Sequence, residues 1–130
     1  MPEQPITFIS TTPEEDRIKK NVLQQMENMA ELMGMIQKDA MAGSVDPESF
    51  LDFKAELLKV YFYYARSKIP SVCVNRPDRT EKYRPLQNLD YYIQNPQMLT
   101  LQDAFDYAML LRDLLEDLGM FNVEKAQIMR

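Results

Sequence analysis

The chain has 130 residues, with 15 Lys or Arg against 20 Asp or Glu, so its net charge is −5. It contains no His, one Cys and only 3 Gly. This composition argues against a Ser–His or Cys–His catalytic pair, a His-containing zinc site, an internal disulfide and a glycine-rich phosphate loop. We therefore expect a protein that is not an enzyme and binds no cofactor or metal.

The length predicts a single domain, with residues 1–11 as an extended N-terminal arm and residues 12–130 as one helical-bundle domain. Pro2 and Pro5 disfavour helix in the arm. Its apolar residues are candidates for docking onto the domain or onto a neighbour: Ile6, Phe8 and Ile9. No apolar run is long enough to span a membrane and the first residues do not resemble a secretory signal, so we expect a cytoplasmic protein.

A first long helix is predicted from Thr12 to Gly43. Thr12, Pro13 and Glu15 form a capping box with proline at the first helical position, and Gly43 is a natural stop. Apolar residues then recur in steps of four and three, as in a coiled-coil seam: Val22, Met26, Met29, Met33, Ile36 and Ala40.

A second helix is predicted from Asp46-Pro47 to the residue before Pro70. Because it is apolar over much of its circumference, we expect it to be the central helix. One predicted apolar stripe is Phe50, Phe53, Leu57, Tyr61 and Tyr64, and a second is Leu51, Leu58, Phe62, Ala65 and Ile69.

Proline punctuates residues 70–85, where Val72-Cys73-Val74 is predicted to be a short extended piece. Short helical turns follow at 86–94, and a last long helix begins after Thr100 and ends at Gly119, with Asn122 capping a final turn. Its predicted buried face is Leu101, Phe105, Ala108, Leu111, Leu115 and Leu118. The prediction is an all-α compact bundle of three principal helices plus short ones.

The charge is distributed unevenly along the chain. Residues 66–84 contain six basic residues against Asp78 and Glu81, a surplus of +4, which leaves −9 for the rest. A basic segment in an acidic protein is a candidate for phosphate contact. The alternative is a set of solvated loop charges, some of them paired with the acidic last helix.

Two further clusters have alternative interpretations. The methionines of the first helix could form an adaptable peptide-binding surface, pack in the core, or meet a second chain: Met26, Met29, Met33 and Met35. The carboxylates that share a face of the last helix could bind a metal, but a solvated acidic face or a patch for a basic partner is favoured: Asp113, Glu116 and Asp117.

Residues 51–68, LDFKAELLKVYFYYARSK, resemble the central helix of the small subunit of type III-A (Csm-type) CRISPR effector complexes. The similarity lies in the apolar–basic–apolar step Leu58-Lys59-Val60 and the aromatic run Phe62-Tyr63-Tyr64, with Ser67-Lys68 in place of the usual Gly-Arg. The first helix also has an Ile-basic step, Ile18-Lys19. The acidic last helix departs from the more basic helix of that family.

This resemblance implies a non-catalytic antiviral-defence subunit that stacks in several copies and holds the guide RNA–target RNA duplex through its phosphates. The implied partners are both RNAs, the backbone and large subunits, and further copies of the chain. The candidate RNA-binding residues are Lys54, Lys59, Arg66, Lys68, Arg76, Arg79, Lys82 and Arg84. The last four could instead contact the next subunit. The alternative hypothesis is a helical protein–protein assembly or adaptor module with no nucleic-acid role.

Overall fold

The structure, a computed structural model, describes residues 13–120. The predicted arm at 1–11, the Thr12 cap and the final turn at Asn122 lie outside the described residues. Between residues 13 and 120 every regular element is helical, which confirms the predicted all-α fold.

Three long helical segments and several short ones follow one another along the described chain. The α-helices are α1 (Pro13–Met41), α2 (Pro47–Val60), α3 (Arg66–Asn75), α4 (Thr80–Tyr83), α5 (Leu89–Gln94) and α6 (Leu101–Asp117). A π-helical turn (Tyr61–Ala65) joins α2 to α3 without a break, and 3-10 turns occupy Pro77–Arg79, Arg84–Asn88 and Pro96–Met98.

Helix α1 begins at Pro13 and stops close to Gly43, as predicted. The φ angle of Gly43 is 100°, a conformation that costs glycine little, and the backbone N–H of Ser44 donates to the carbonyl of Asp39 at 3.0 Å. The predicted seam is largely confirmed, since Val22, Met26, Met29 and Ile36 are buried. Met33 is half-buried, and the prediction of Ala40 was wrong because the last turn of α1 projects beyond the core.

The start of α2 follows its sequence. Asp46 precedes Pro47 and accepts hydrogen bonds from the Glu48 backbone N–H at 3.3 Å and from the Ser49 hydroxyl at 3.2 Å. The first predicted stripe forms the centre of the core, where all but the half-buried Phe50 are buried: Phe53, Leu57, Tyr61 and Tyr64.

The predicted helix end before Pro70 was wrong, as was the extended piece at residues 72–74. The helix continues to Asn75 with Pro70 inside it. In the π turn the backbone N–H of Arg66 donates to the carbonyl of Tyr61, five residues earlier. The longer turn changes which side chains face inward, so Ala65 is buried while Phe62 is 45% exposed.

The second predicted stripe of α2 is therefore only partly correct. Leu51 and Phe62 are exposed, Leu58 and Ile69 are half-buried, and only Ala65 is fully buried. The sequence overestimated how much of the helix circumference the core covers.

The C-terminal half matches its prediction more closely. Short turns fill residues 84–94, and the Thr100 hydroxyl caps α6 by accepting from the Asp103 backbone N–H at 3.2 Å. The φ angle of Gly119 is 83° at the end of α6. The buried face of α6 is shifted from the prediction, with Leu101, Phe105 and Leu118 only half-buried. Its buried residues are Ala104, Ala108, Leu111, Leu114 and Leu115.

Helices α1 and α2 form a hairpin, and α6 packs against both. The Phe53 and Phe105 rings meet edge to face at 5.3 Å where α2 meets α6. Three buried residues from the short segments complete the core: Tyr83, Leu86 and Leu89. Within residues 13–120, none of the helices has the length and apolar character needed to cross a membrane.

Candidate functional site

An open groove of about 550 Å³ runs between α1 and α6. Its floor is apolar, and exposed charged residues of both helices border it. Helix α1 contributes Lys20, Leu23, Gln24, Met26, Glu27, Met29, Ala30 and Met33, and α6 contributes Ala108, Met109 and Arg112. A groove of this size lies in the range of about 300–1,000 Å³ that is typical of ligand sites.

The groove brings together three of the four methionines in the predicted methionine surface. Met26, Met29 and Met33 line it, whereas Met35 lies in a second groove of about 370 Å³ between α1 and α2. The α6 side of the first groove is Ala108 and Met109, which the methionine pattern did not identify. Met109 is 50% exposed. The only feature of the sequence that pointed to it is its position directly after Ala108, which lies on the predicted buried face of the last helix.

The chemistry of this groove suits an apolar segment of variable shape. Methionine side chains are unbranched and polarizable, so they adapt to different apolar partners. The exposed Ala30 leaves open space beside them. The groove therefore offers apolar contact bordered by polar and charged side chains: Lys20, Gln24, Glu27 and Arg112.

Two cations of the basic segment pair with the acidic last helix. The Arg79 guanidinium lies 2.9 Å from the Asp117 carboxylate, and the Lys82 ammonium lies 3.2 Å from the Asp113 carboxylate. Arg76 pairs with Asp78 at 3.4 Å. Arg84, at the end of the segment, pairs with Glu81 at 2.7 Å.

Asp117 is the centre of this arrangement, since the Tyr83 hydroxyl also donates to it. Burial would raise the pKa of Asp117, but the hydrogen bonds from Tyr83 and Arg79 outweigh it and hold that pKa below its ordinary range. Burial and the same hydrogen bond raise the pKa of Tyr83 well above its ordinary value. The junction joins α4 and the 3-10 turn before it to α6.

Two more of the predicted cations contact groups within the fold. Lys54 is 7% exposed, and its ammonium donates to the Pro96 carbonyl at 2.9 Å. Arg66 is exposed and lies 3.6 Å from Asp90, which also accepts from the Tyr61 hydroxyl at 3.0 Å. Burial and that hydrogen bond raise the pKa of Tyr61 to about 12.

The remaining two predicted cations lie on consecutive helices, Lys59 on α2 and Lys68 on α3. Lys59 is exposed, and the Lys68 ammonium stands 5.3 Å from the centre of the Tyr64 ring. Among residues 13–120 neither forms an ion pair. Lys68 also borders a small groove of about 190 Å³ together with Lys19 and Tyr63, which is 77% exposed. Lys19 was not among the predicted RNA-binding residues, although its Ile-basic step had been noted.

The carboxylates at Asp113 and Asp117 are engaged by basic side chains. In the described part of the chain no group of three or more carboxylate or thiol side chains is placed to hold a metal ion.

Comparisons with known proteins add no relative. No family model, no curated protein and no solved structure matches the chain.

Proposed function

We propose that the protein is a helical assembly module that binds an apolar segment of a protein partner in the groove between α1 and α6. The observation that carries the proposal is the groove itself, in which the accessible apolar side chains of Leu23, Met33 and Met109 lie above the buried Met26 and Met29. Apolar patches rimmed by polar residues are typical of protein–protein interaction sites.

The arrangement of charge supports this function. Arg79 and Lys82 neutralise carboxylates of α6, and Lys54 donates to a backbone carbonyl. Cations held in this way contribute less to phosphate binding than unpaired ones, because an anionic ligand must compete with an existing acceptor. Five of the six cations in residues 66–84 thus have a carboxylate partner, and Arg79 is the least exposed of the five.

Photo-cross-linking tests the proposal. A benzophenone amino acid replaces Ala30, which is exposed in the groove, and in a matched variant it replaces Asn21, an exposed α1 residue outside the groove. In the host that produces the protein, the benzophenone at position 30 is expected to give a discrete adduct with a second polypeptide. The cross-linked peptide of that polypeptide is expected to be apolar. The benzophenone at position 21 is expected to give no such adduct.

Apolar burial is not screened by salt, so the adduct yield is expected to be unchanged at 1 M NaCl, an ionic strength at which the Debye length is about 3 Å. Equal yields from the two positions, or no adduct with a second polypeptide from position 30, would contradict the assembly function.

A second candidate function, which we also propose, is the RNA-holding small subunit of a type III CRISPR complex. It is favoured by Lys59 and Lys68, which form no ion pair within residues 13–120, and by the exposed Tyr63 beside Lys68. Lysines next to an exposed aromatic ring can contact phosphate while a base stacks on the ring. Several stacked copies would multiply a weak affinity.

Charge reversal tests the second candidate. Lys59→Glu and Lys68→Glu are expected to weaken RNA capture by the protein purified with its partners. Each is also expected to reduce the slope of the logarithm of the RNA-binding constant against the logarithm of the salt concentration by about 1, which corresponds to the loss of one phosphate contact. Lys38→Glu, an exposed cation near the end of α1, is the control. RNA capture that is equal in all three variants and the natural protein across a salt titration would exclude these lysines from an RNA interface.

A further inference from the structure

The groove between α1 and α6 ends within reach of a segment of the same chain. Residues 1–12 precede Pro13, where α1 begins. Their sequence includes Ile6, Phe8 and Ile9, and apolar residues at positions 6 and 8 share one side of an extended backbone. The segment therefore has the chemistry that the groove accepts.

The distances along the chain match. Extended backbone advances about 3.3 Å per residue, so Ile9, Phe8 and Ile6 can reach about 13, 17 and 23 Å from Pro13. The α1 side of the groove begins at Lys20 and ends at Met33, which lie about 10 and 30 Å from Pro13 at 1.5 Å per helical residue. All three apolar side chains fall within the length of the groove.

The segment at the other end of the sequence fits less well. The α6 residues of the groove, Ala108 to Arg112, lie about 12–18 Å before Met120 on the same helical rise. Residues 124–126, which reach that distance in extended form, are Glu, Lys and Ala. The larger apolar residues on either side of this stretch are Val123, which reaches about 10 Å, and Ile128, which reaches about 26 Å, so neither matches the α6 residues of the groove.

We infer that residues 6–9 of the chain occupy the groove between α1 and α6 of the same molecule. The inference rests on the proposed function, because it makes this segment an internal ligand that an external partner must displace. A tethered segment has an effective concentration in the millimolar range, which exceeds that of a second copy at micromolar protein. The occupant is therefore the molecule's own segment.

Tryptophan fluorescence tests this occupancy in the full chain. The natural sequence has no Trp, so Phe8→Trp provides a single emitter that keeps an aromatic ring at position 8. Cys73→Ser removes the one natural thiol. A nitroxide is then attached at Glu27→Cys, on the groove, or at Asn21→Cys, outside it.

The two label sites are matched. Both are exposed, and each lies about 4–5 Å along the α1 axis from the level that Phe8 reaches. The two sites differ by about 120° in their direction around that axis. We expect quenching to be at least threefold stronger from position 27 than from position 21, and unchanged when the protein is diluted a hundredfold.

Three results would overturn the inference. The first is equal quenching from the two positions, and the second is no quenching from either. The third is quenching that appears when Phe8→Trp chains are mixed with separately labelled Glu27→Cys chains, because that result would assign the groove to a second copy. Photo-cross-linking at position 30 distinguishes failure of the internal-ligand inference from failure of the proposed assembly function. If position 30 still captures a second polypeptide, only the internal ligand is excluded.

If the internal ligand is present, Phe8→Asp is expected to increase the yield of the partner adduct at position 30. An aspartate at position 8 would vacate the apolar floor and remove the competitor. An unchanged yield in Phe8→Asp would contradict competition between this segment and the partner.

Discussion

At the scale of single residues, Asp117 joins two parts of the fold that are distant in sequence. It accepts from Arg79 and from Tyr83, which lie 38 and 34 residues away. The side chain of Asp117 is 14% exposed, so water replaces these partners poorly. A carboxylate that accepts two hydrogen bonds at a half-buried site contributes more to the free energy of unfolding than a surface ion pair does.

Asp117→Asn is expected to lower the free energy of unfolding at pH 6 by about 1.5–3 kcal/mol, because the hydrogen bonds lose their charged acceptor. Denaturant unfolding at constant pH measures this change. Asp106→Asn is the matched control, since Asp106 is exposed on α6 and accepts from Gln102 alone among the contacts described here. Equal losses in the two variants would show that the Asp117 junction does not stabilise the fold.

The same substitution predicts a pH dependence. The pKa of Asp117 in the folded protein is held below its ordinary value of about 3.9, so its stabilising effect is fully present above that pH. The effect is lost as the pH falls through the folded-state pKa. The difference between the natural protein and Asp117→Asn is therefore expected to shrink from pH 6 to pH 2, and a difference that stays constant would exclude ionised Asp117 as its cause.

At the scale of elements, the π turn and Pro70 show why some boundaries were not predictable. Proline lacks a backbone N–H and restricts the residue before it, so a helix end before Pro70 was the reasonable expectation. Those are local preferences of a few kcal/mol or less, and burial of Tyr64, Ala65 and Val72 along the continuous helix outweighs them. In contrast, the caps at Asp46 and Thr100 are local hydrogen bonds, and the sequence predicted both.

Pro70→Ala is expected to stabilise the protein by about 1–2 kcal/mol. Alanine is favoured over proline by about 3 kcal/mol inside a helix, and the greater freedom of the unfolded chain offsets about 1 kcal/mol of this. Pro70 is exposed, so no packing is lost. Denaturant midpoints with an unchanged slope are the measurement.

Pro47→Ala is the matched control, because Pro47 occupies the first position of α2, where proline is well tolerated. It is expected to leave stability unchanged or slightly lower. A loss of stability in Pro70→Ala would show that the π turn depends on the proline.

At the scale of the whole molecule, the groove depends on two helices that are about 80 residues apart in sequence. The methionine spacing predicted its α1 side, including Met29 and Met33, because that pattern is local. On its α6 side the predicted buried face included Ala108 but not Met109, since which face of α6 meets α1 depends on packing. The ion pairs of Arg79 and Lys82 with α6 followed from charge only as one of two alternatives, because charge along a sequence does not specify distance.

If residues 6–9 occupy the groove, the N-terminal segment and the groove contribute to one cooperative unit. Phe8→Ala is expected to lower the free energy of unfolding by about 1 kcal/mol, less than for a fully buried phenylalanine because the groove is open. Ala30→Arg keeps a good helix former but places a charge on the groove floor, so it is expected to lower stability by a similar amount.

The two substitutions remove the same contact, so the double variant Phe8→Ala/Ala30→Arg is expected to be no less stable than either single variant, a coupling of about 1 kcal/mol. Phe8→Ala/Asn21→Arg is the matched cycle, because Asn21 is exposed on α1 outside the groove. Its effects are expected to add within about 0.5 kcal/mol. Additive effects in both cycles would mean that position 8 and the groove do not interact in the folded protein.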